Sequence, residues 1–165
     1  MEYTVTFAKL PETLAELQAL PEAGRKSPAE AAALAVAALC RYPLDKAEAC
    51  RMLDWLRGPR PMSEMDRQFL RDRFMDGKDY LPRSYFTGAK PENDYTPAQP
   101  LTLVFRDRVN QPVEKDYRIL EVYSGGADSP RSITLRTKPS TGEWFLWEQM
   151  LLAGIRVPKS RDEWA

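Results

Sequence analysis

Apolar side chains recur at helical spacing through the first half of the chain and alternate with polar ones through the second, which predicts helices followed by strands. One exception comes first. Tyr3, Val5 and Phe7 alternate with Thr4 and Thr6 as in a short strand suited to a sheet edge. Leu14, Leu17 and Leu20 then share a face over residues 13–20, with Glu16 and Gln18 outward, and predict a small amphipathic helix. Ser27-Pro28-Ala29-Glu30 is a strong helix start: the Ser hydroxyl accepts from early N–H groups, Pro suits the first turn, and Glu can reach back as in a capping box. The run that follows to Cys40 is apolar on nearly every side, so this helix is expected to be central and covered by others. Asp45 caps the next helix, whose stripe of Ala49, Met52, Leu53 and Leu56, with Trp55 at its edge, stops at Gly58. Ser63 caps a fourth, through about Phe74, with Met65, Phe69, Leu70 and Phe74 expected inward and Gly77 as terminator.

From Lys78 to Pro100 the pattern lapses into prolines and aromatics, and predicts a long ordered loop lying against the core, with a helical turn around Arg83–Phe86. Strands are expected at Leu101–Arg106, Tyr117–Ser124, Arg131–Thr137 and Glu143–Trp147. Turn chemistry separates them at Asn110-Gln111-Pro112, at Gly125–Pro130 and at Pro139–Gly142. A short helix from about Glu148 to Ala153, stopped by Gly154, is expected to close the domain, with Trp164 packing back onto it. The fold class is therefore α+β in a single domain, residues 1–165. A helical N-terminal layer of about four helices (about 1–77) packs on a C-terminal antiparallel sheet of about four or five strands (about 101–165), the Pro-rich loop (about 78–100) between them.

Composition narrows the function classes. Lys plus Arg number 24, as do Asp plus Glu, and the signs are interleaved, which argues against a nucleic-acid partner. The most apolar run, Ala31–Cys40, is too short to span a bilayer and no leader pattern opens the chain, so a soluble, cytoplasmic protein is expected. Cys40 and Cys50 fall in helical patterns and read as reduced core residues. Histidine is absent, which removes Ser-His and Cys-His nucleophile pairs, His-metal sites and the ordinary side chain that titrates near neutrality. No cofactor or metal is expected, and any catalysis would run on carboxylates, Lys, Tyr or Arg.

The most ligand-like segment is Gly125-Gly126-Ala127-Asp128-Ser129-Pro130-Arg131, where glycines let backbone N–H groups approach an anion and Ser129 and Arg131 add donors. It lacks the Gly-Lys-Ser/Thr of a nucleotide loop, and a hairpin connection is the simpler reading. Tyr80, Tyr85, Phe86, Tyr95, Trp144 and Trp147 are able to line a groove, or else to serve as loop anchors and core; Trp144 and Trp147 fall on opposite faces of their strand. Asp128, Glu143 and Glu148 are the carboxylates considered for acid–base work, and Pro97-Ala98-Gln99-Pro100 has the minimal spacing read by proline-binding domains.

Over Leu70–Tyr80, Pro82–Phe86 and Gly142–Glu148 the sequence resembles a family of uncharacterised bacterial proteins from anaerobic gut Firmicutes, and the resemblance runs over nearly the whole chain. It implies a bacterial, cytoplasmic, free-standing domain and carries no activity or functional residue over. The preferred reading is a non-enzymatic protein-interaction or binding module whose surface is the Tyr80–Pro100 loop and the Gly125–Arg131 turn. Tyr80, Arg83, Tyr85, Tyr95, Asp128, Ser129, Arg131 and Trp147 are the candidate contacts, and the partner is another protein or a second copy. The alternative is a small enzyme or ligand-binding protein for an anionic or carbohydrate ligand, with Arg83 and Arg131 as clamps and Asp128 or Glu143 as acid or base.

Overall fold

In the computed structural model, which describes residues 1–109 and 113–165, helix α2 (Pro28–Arg41) is the element around which the others assemble. Ala29 and every residue from Ala31 to Leu39 are buried. Such a helix is stable only if it is covered all round, and its alanines allow close approach by its neighbours. One side meets α3 (Lys46–Arg57), on which the short α1 (Leu14–Gln18) packs in turn; the rest meets the 3-10 turns at Pro21–Gly24 and Pro82–Tyr85, and the sheet.

The sheet is antiparallel throughout, in the order β1 (Glu2–Phe7), β2 (Leu101–Asp107), β3 (Tyr117–Val122), β4 (Arg131–Lys138) and β5 (Glu143–Gln149). The opening strand joins as an edge, as its pattern predicts. Its register sets Val5 against Leu103, and apolar pairs continue across the same face as Phe105–Val122, Leu120–Ile133 and Leu135–Leu146. That face covers α2; the other carries Thr4, Arg106, Glu121, Tyr117, Arg136 and Lys138. The expected turn at Asn110-Gln111-Pro112 lies outside the described residues.

The caps expected at Ser27, Asp45 and Ser63 form, and Thr13 adds one that the sequence reading did not name. Thr13 accepts from the Glu16 N–H (3.1 Å), Ser27 from that of Glu30 (3.3 Å) and Asp45 from that of Glu48 (3.1 Å). Ser63 and Asp66 make a reciprocal capping box at the start of α4 (Glu64–Arg73). At Ser27 the Glu30 carboxylate accepts from the hydroxyl (3.1 Å) instead of the backbone, so that box is not completed by a backbone bond.

Three expectations are corrected. In α4 only Leu70 is buried, while Met65 is 81% and Phe69 42% exposed. The helix is joined to α3 by ion pairs, Arg67–Asp54 (2.8 Å) and Arg57–Asp66 (3.2 Å), and the stripe is wider than the strip of core it can reach. The helix expected at Glu148–Ala153 does not form. A register shift at Thr134/Leu135 lets β5 run on to Gln149, and the Met150 N–H then donates to the Ser132 carbonyl (2.9 Å) before the chain turns at buried Leu151 and Leu152. Trp164 is 94% exposed, because the segment is tied down before it: Arg161 donates to the Gly77 carbonyl (2.6 Å) and Asp79 (2.8 Å), and Ser160 donates to Asp94 (3.1 Å).

The segment at 78–100 is ordered against the core, with a 3-10 turn at Pro82–Tyr85. Tyr80 and Tyr95 stack at 5.4 Å, the Tyr95 hydroxyl donates to the Arg156 carbonyl (2.5 Å), and that of Tyr85 to the Leu151 carbonyl (2.5 Å). Burial pushes the Tyr85 phenol well above its usual range, so it remains a neutral donor. Cys40 and Cys50 are free thiols, and burial pushes Cys40 up to about 12. Among the described residues no helix is long and apolar enough to cross a membrane.

Two stability measurements test this arrangement. Replacing Tyr85 by Ala removes a buried ring and orphans the Leu151 carbonyl, and is expected to lower the unfolding free energy by about 3–5 kcal/mol; Tyr85→Phe, which removes the hydroxyl alone, lowers it by about 1–3 kcal/mol. Equal stability of the wild type and both variants in denaturant titrations would contradict the anchoring role. Burial opposes ionisation of Asp79, but hydrogen bonds from Arg161 and Arg83 outweigh it and hold its carboxyl below the usual range. A depressed folded-state pKa stabilises above the unfolded value of about 3.9 and is lost as pH falls through the folded value. Asp79→Asn should therefore be less stable than wild type at pH 7 and lose less on acidification below about pH 4; parallel acid profiles for the two proteins would refute the assignment.

Candidate functional site

The residues expected to form a site are dispersed among other partners. Gly125 and Gly126 serve close packing: a Cβ on Gly125 would lie 1.8 Å from the Ala89 carbonyl oxygen, and one on Gly126 1.9 Å from the Tyr95 hydroxyl oxygen. Their N–H groups are spent on the Ser84 carbonyl (2.9 Å) and the Ser124 hydroxyl (3.0 Å), so no cradle of free donors faces outward. Arg131 donates to the carbonyls of Ser129 (2.9 Å), Ala153 (3.0 Å) and Gly154 (3.0 Å), bracing the turn after β5. Exposed Asp128 pairs with Arg156 (3.1 Å), and Ser129 is exposed with its hydroxyl accepting from Arg131 (3.0 Å). Arg83 is engaged by Asp79 (3.3 Å) and the Asp94 carbonyl (3.1 Å), and Glu143 by Arg25 (2.8 Å). Tyr80, Tyr85 and Tyr95 are buried.

Trp147 is the exception, because what gathers round it came from distant parts of the chain. Asp54 on α3 accepts from the Met62 N–H (2.9 Å) and from Arg67 (2.8 Å), which draws the α3–α4 connection over β5. Gly58 ends α3 at φ +60°, and a Cβ there would lie 2.4 Å from the Phe145 ring; only a glycine lets the backbone pass this close. The Nε of Arg57 then donates to the Arg60 carbonyl (3.0 Å) and fixes the position of that residue. The Arg60 guanidinium stacks 3.7 Å from the centre of a Trp147 ring and donates to the Trp147 carbonyl. From β4, Arg136 lies 4.9 Å from the same ring and 5.1 Å from Tyr117, whose ring meets Trp147 edge-on at 5.4 Å.

Between this connection and the β4–β5 hairpin lies a groove of about 340 Å³, walled by Pro59, Pro139 and Phe145. It holds Arg57, Arg60, Arg136 and Lys138 and no carboxylate. Arg57 is matched by Asp66 at 3.2 Å. Among the described residues no carboxylate comes within 4.0 Å of Arg60, Arg136 or Lys138. Glu143 stands across from Lys138 in register, but its carboxylate is turned to Arg25. Arg25 is 6% exposed and held between the rings of Trp55 (3.9 Å) and Phe145 (4.6 Å), and its carbonyl accepts from the Trp144 N–H (2.8 Å), covering part of the free edge of β5.

The groove can bind but is poorly equipped to catalyse. Its hydroxyl, on Thr137, donates to the Glu143 carbonyl (3.0 Å), and the lining holds no carboxylate or thiol to act as base or nucleophile. The guanidiniums of Arg60 and Arg136 are oriented by rings and a carbonyl, which leaves their charge uncompensated and N–H groups open to an oxyanion. Sequence reasoning singled out Trp147 and missed its partners. Alternation of Ile133 and Leu135 with Thr134 and Arg136 in the sequence is enough to put Arg136 on the face opposite the core; Lys138 lies one residue past the expected strand end, and no pattern in the connection signalled Arg60.

If the Gly58 backbone sets the groove wall, Gly58→Ala meets both a positive φ and the Phe145 ring. A loss on the order of 1–3 kcal/mol in thermal or denaturant unfolding is expected, and unchanged stability would show that the connection sits elsewhere.

Residues 9–159 match a family model described as a domain of unknown function (DUF6935). No curated protein and no solved structure matches the chain.

Proposed function

The chain belongs to the DUF6935 family, and from the groove at Trp147 we propose that it is a non-enzymatic binding module that holds an anionic ligand between the α3–α4 connection and the β4–β5 hairpin. The observation that carries this reading is the group of Arg60, Arg136 and Lys138, gathered at one groove with no carboxylate within 4.0 Å among the described residues, in a chain whose cations and anions number 24 each. Many other arginines are paired: Arg106 with Glu2, Arg118 with Asp107, Arg71 with Glu64 and Arg161 with Asp79. Three exposed cations held together repel one another, and an anion bound among them relieves that repulsion while accepting charge-assisted hydrogen bonds. The aromatic and proline walls suit an organic body attached to the charge. This keeps the non-enzymatic part of the preferred reading and takes the anionic ligand from the alternative; the site moves from the 80–100 loop, whose tyrosines are buried, and the Gly125–Arg131 turn to the outer face of β4 and β5.

Thermal-shift and calorimetric titrations of the full chain with small anions and with uncharged sugars test it. At least one organic anion should bind and raise the melting temperature, with affinity falling as salt is added. The double substitution Arg136→Gln with Lys138→Gln should weaken that binding by about tenfold or more. Binding of neutral sugars alone, or anion binding untouched by the double substitution, would refute the proposal.

A further inference from the structure

We propose that the ligand's charged group is the phosphate monoester of a small organic molecule. This rests on the anion-binding reading above and goes further by naming the chemistry. A carboxylate, a sulfate ester or a phosphodiester brings a single negative charge, whereas a phosphate monoester carries about −1.5 to −2 at neutral pH, with three acceptor oxygens. The groove offers three unmatched cations. Arg60 lies 3.7 Å and Arg136 4.9 Å from a Trp147 ring centre, which brings two guanidinium forks, each suited to a tetrahedral oxyanion, to one aromatic side chain. Lys138, two residues along β4, adds a point charge from the same face.

Size and surroundings favour a small molecule over a polymer. The groove, at about 340 Å³, sits at the lower end of the range for small-molecule sites. Along β5 it is bounded by Glu143 at one end and exposed Glu148 just past Trp147 at the other, so the cationic patch has room for one phosphate and not for a track of them. The charged groups lining the groove are Arg57 and Arg60 from the α3–α4 region and Arg136 and Lys138 from β4; Asp66, Tyr117 and Glu148 line neighbouring depressions that share Trp147, and Glu143 stands across from Lys138 in register. The chain has no histidine. A loss of affinity between pH 7.5 and 5.0 that a sulfate ester does not share belongs to the ligand, whose second ionisation falls near 6.

Calorimetry of the full chain with phenyl phosphate, phenyl sulfate, benzoate and methyl phenyl phosphate, at pH 7.5 and 5.0 and one ionic strength, decides the matter. Phenyl phosphate should bind about tenfold or more tightly than the three monoanions at the higher pH and lose about five- to tenfold at the lower, while phenyl sulfate stays unchanged. Arg136→Lys, which keeps the charge and loses the fork, should weaken phenyl phosphate binding with an unchanged melting temperature. Equal binding of all four anions with no pH effect would overturn the monoester assignment and leave the anion-binding reading standing; binding of none would overturn both. An oligonucleotide lacking a terminal phosphate that binds more tightly than phenyl phosphate would overturn the small-molecule assignment in favour of a polymer.

Discussion

Helix α2 has no face that it can show to water, and the rest of the molecule follows from covering it. Its buried stretch from Ala31 to Leu39 is lined by α3 on one side and by the apolar face of the sheet on another. Burying so continuous an apolar surface is the dominant favourable term in folding. It also decides which face of every strand turns inward, because a shift of one residue would exchange the two faces entirely. Val5, Leu103, Phe105, Leu120, Ile133 and Leu135 therefore point at α2, and Arg136 and Lys138 are forced outward.

A second layer of organisation is polar. The irregular segment at 78–100 is buried at its tyrosines, and buried backbone carbonyls need donors. Tyr85 and Tyr95 supply them to Leu151 and Arg156, so the turns after β5 and the Pro-rich segment hold one another in place. Arg131 does the same at Ala153 and Gly154. Residues with the look of a binding surface are here structural, because an aromatic ring with one polar tip serves a buried loop as well as a ligand.

The groove arises where these two constraints meet. Register puts Arg136 and Lys138 on the outer face of β4, and Gly58 lets the α3–α4 connection cross Phe145 and carry Arg60 to Trp147. Of the acidic residues close by, Asp66 is committed to Arg57 and its helix cap, Asp54 to Arg67 and the Met62 N–H, and Glu143 to Arg25, while exposed Glu148 comes within 4.0 Å of none of the three cations. A chain with balanced charge thus acquires a locally unbalanced site, with cations stacked on rings in place of carboxylates.

Local signals along the chain were enough for the α+β class, the order of elements, the caps at Ser27, Asp45 and Ser63, the burial of α2 and the edge position of β1. Each depends on residues a few positions apart, whose spacing is visible in one dimension. Periodicity cannot say how wide a strip of core a helix will meet, so Met65 and Phe69 read as inward and lie outward. Nor can it foresee that a register shift would carry β5 through residues that read as helical. The site itself was the least legible. Arg60, Arg136 and Trp147 are joined by no local pattern, and only the docking of the α3–α4 connection onto the hairpin brings Arg60 to the ring that Arg136 already neighbours, each guanidinium within 5 Å of it, where cation–ring attraction takes effect.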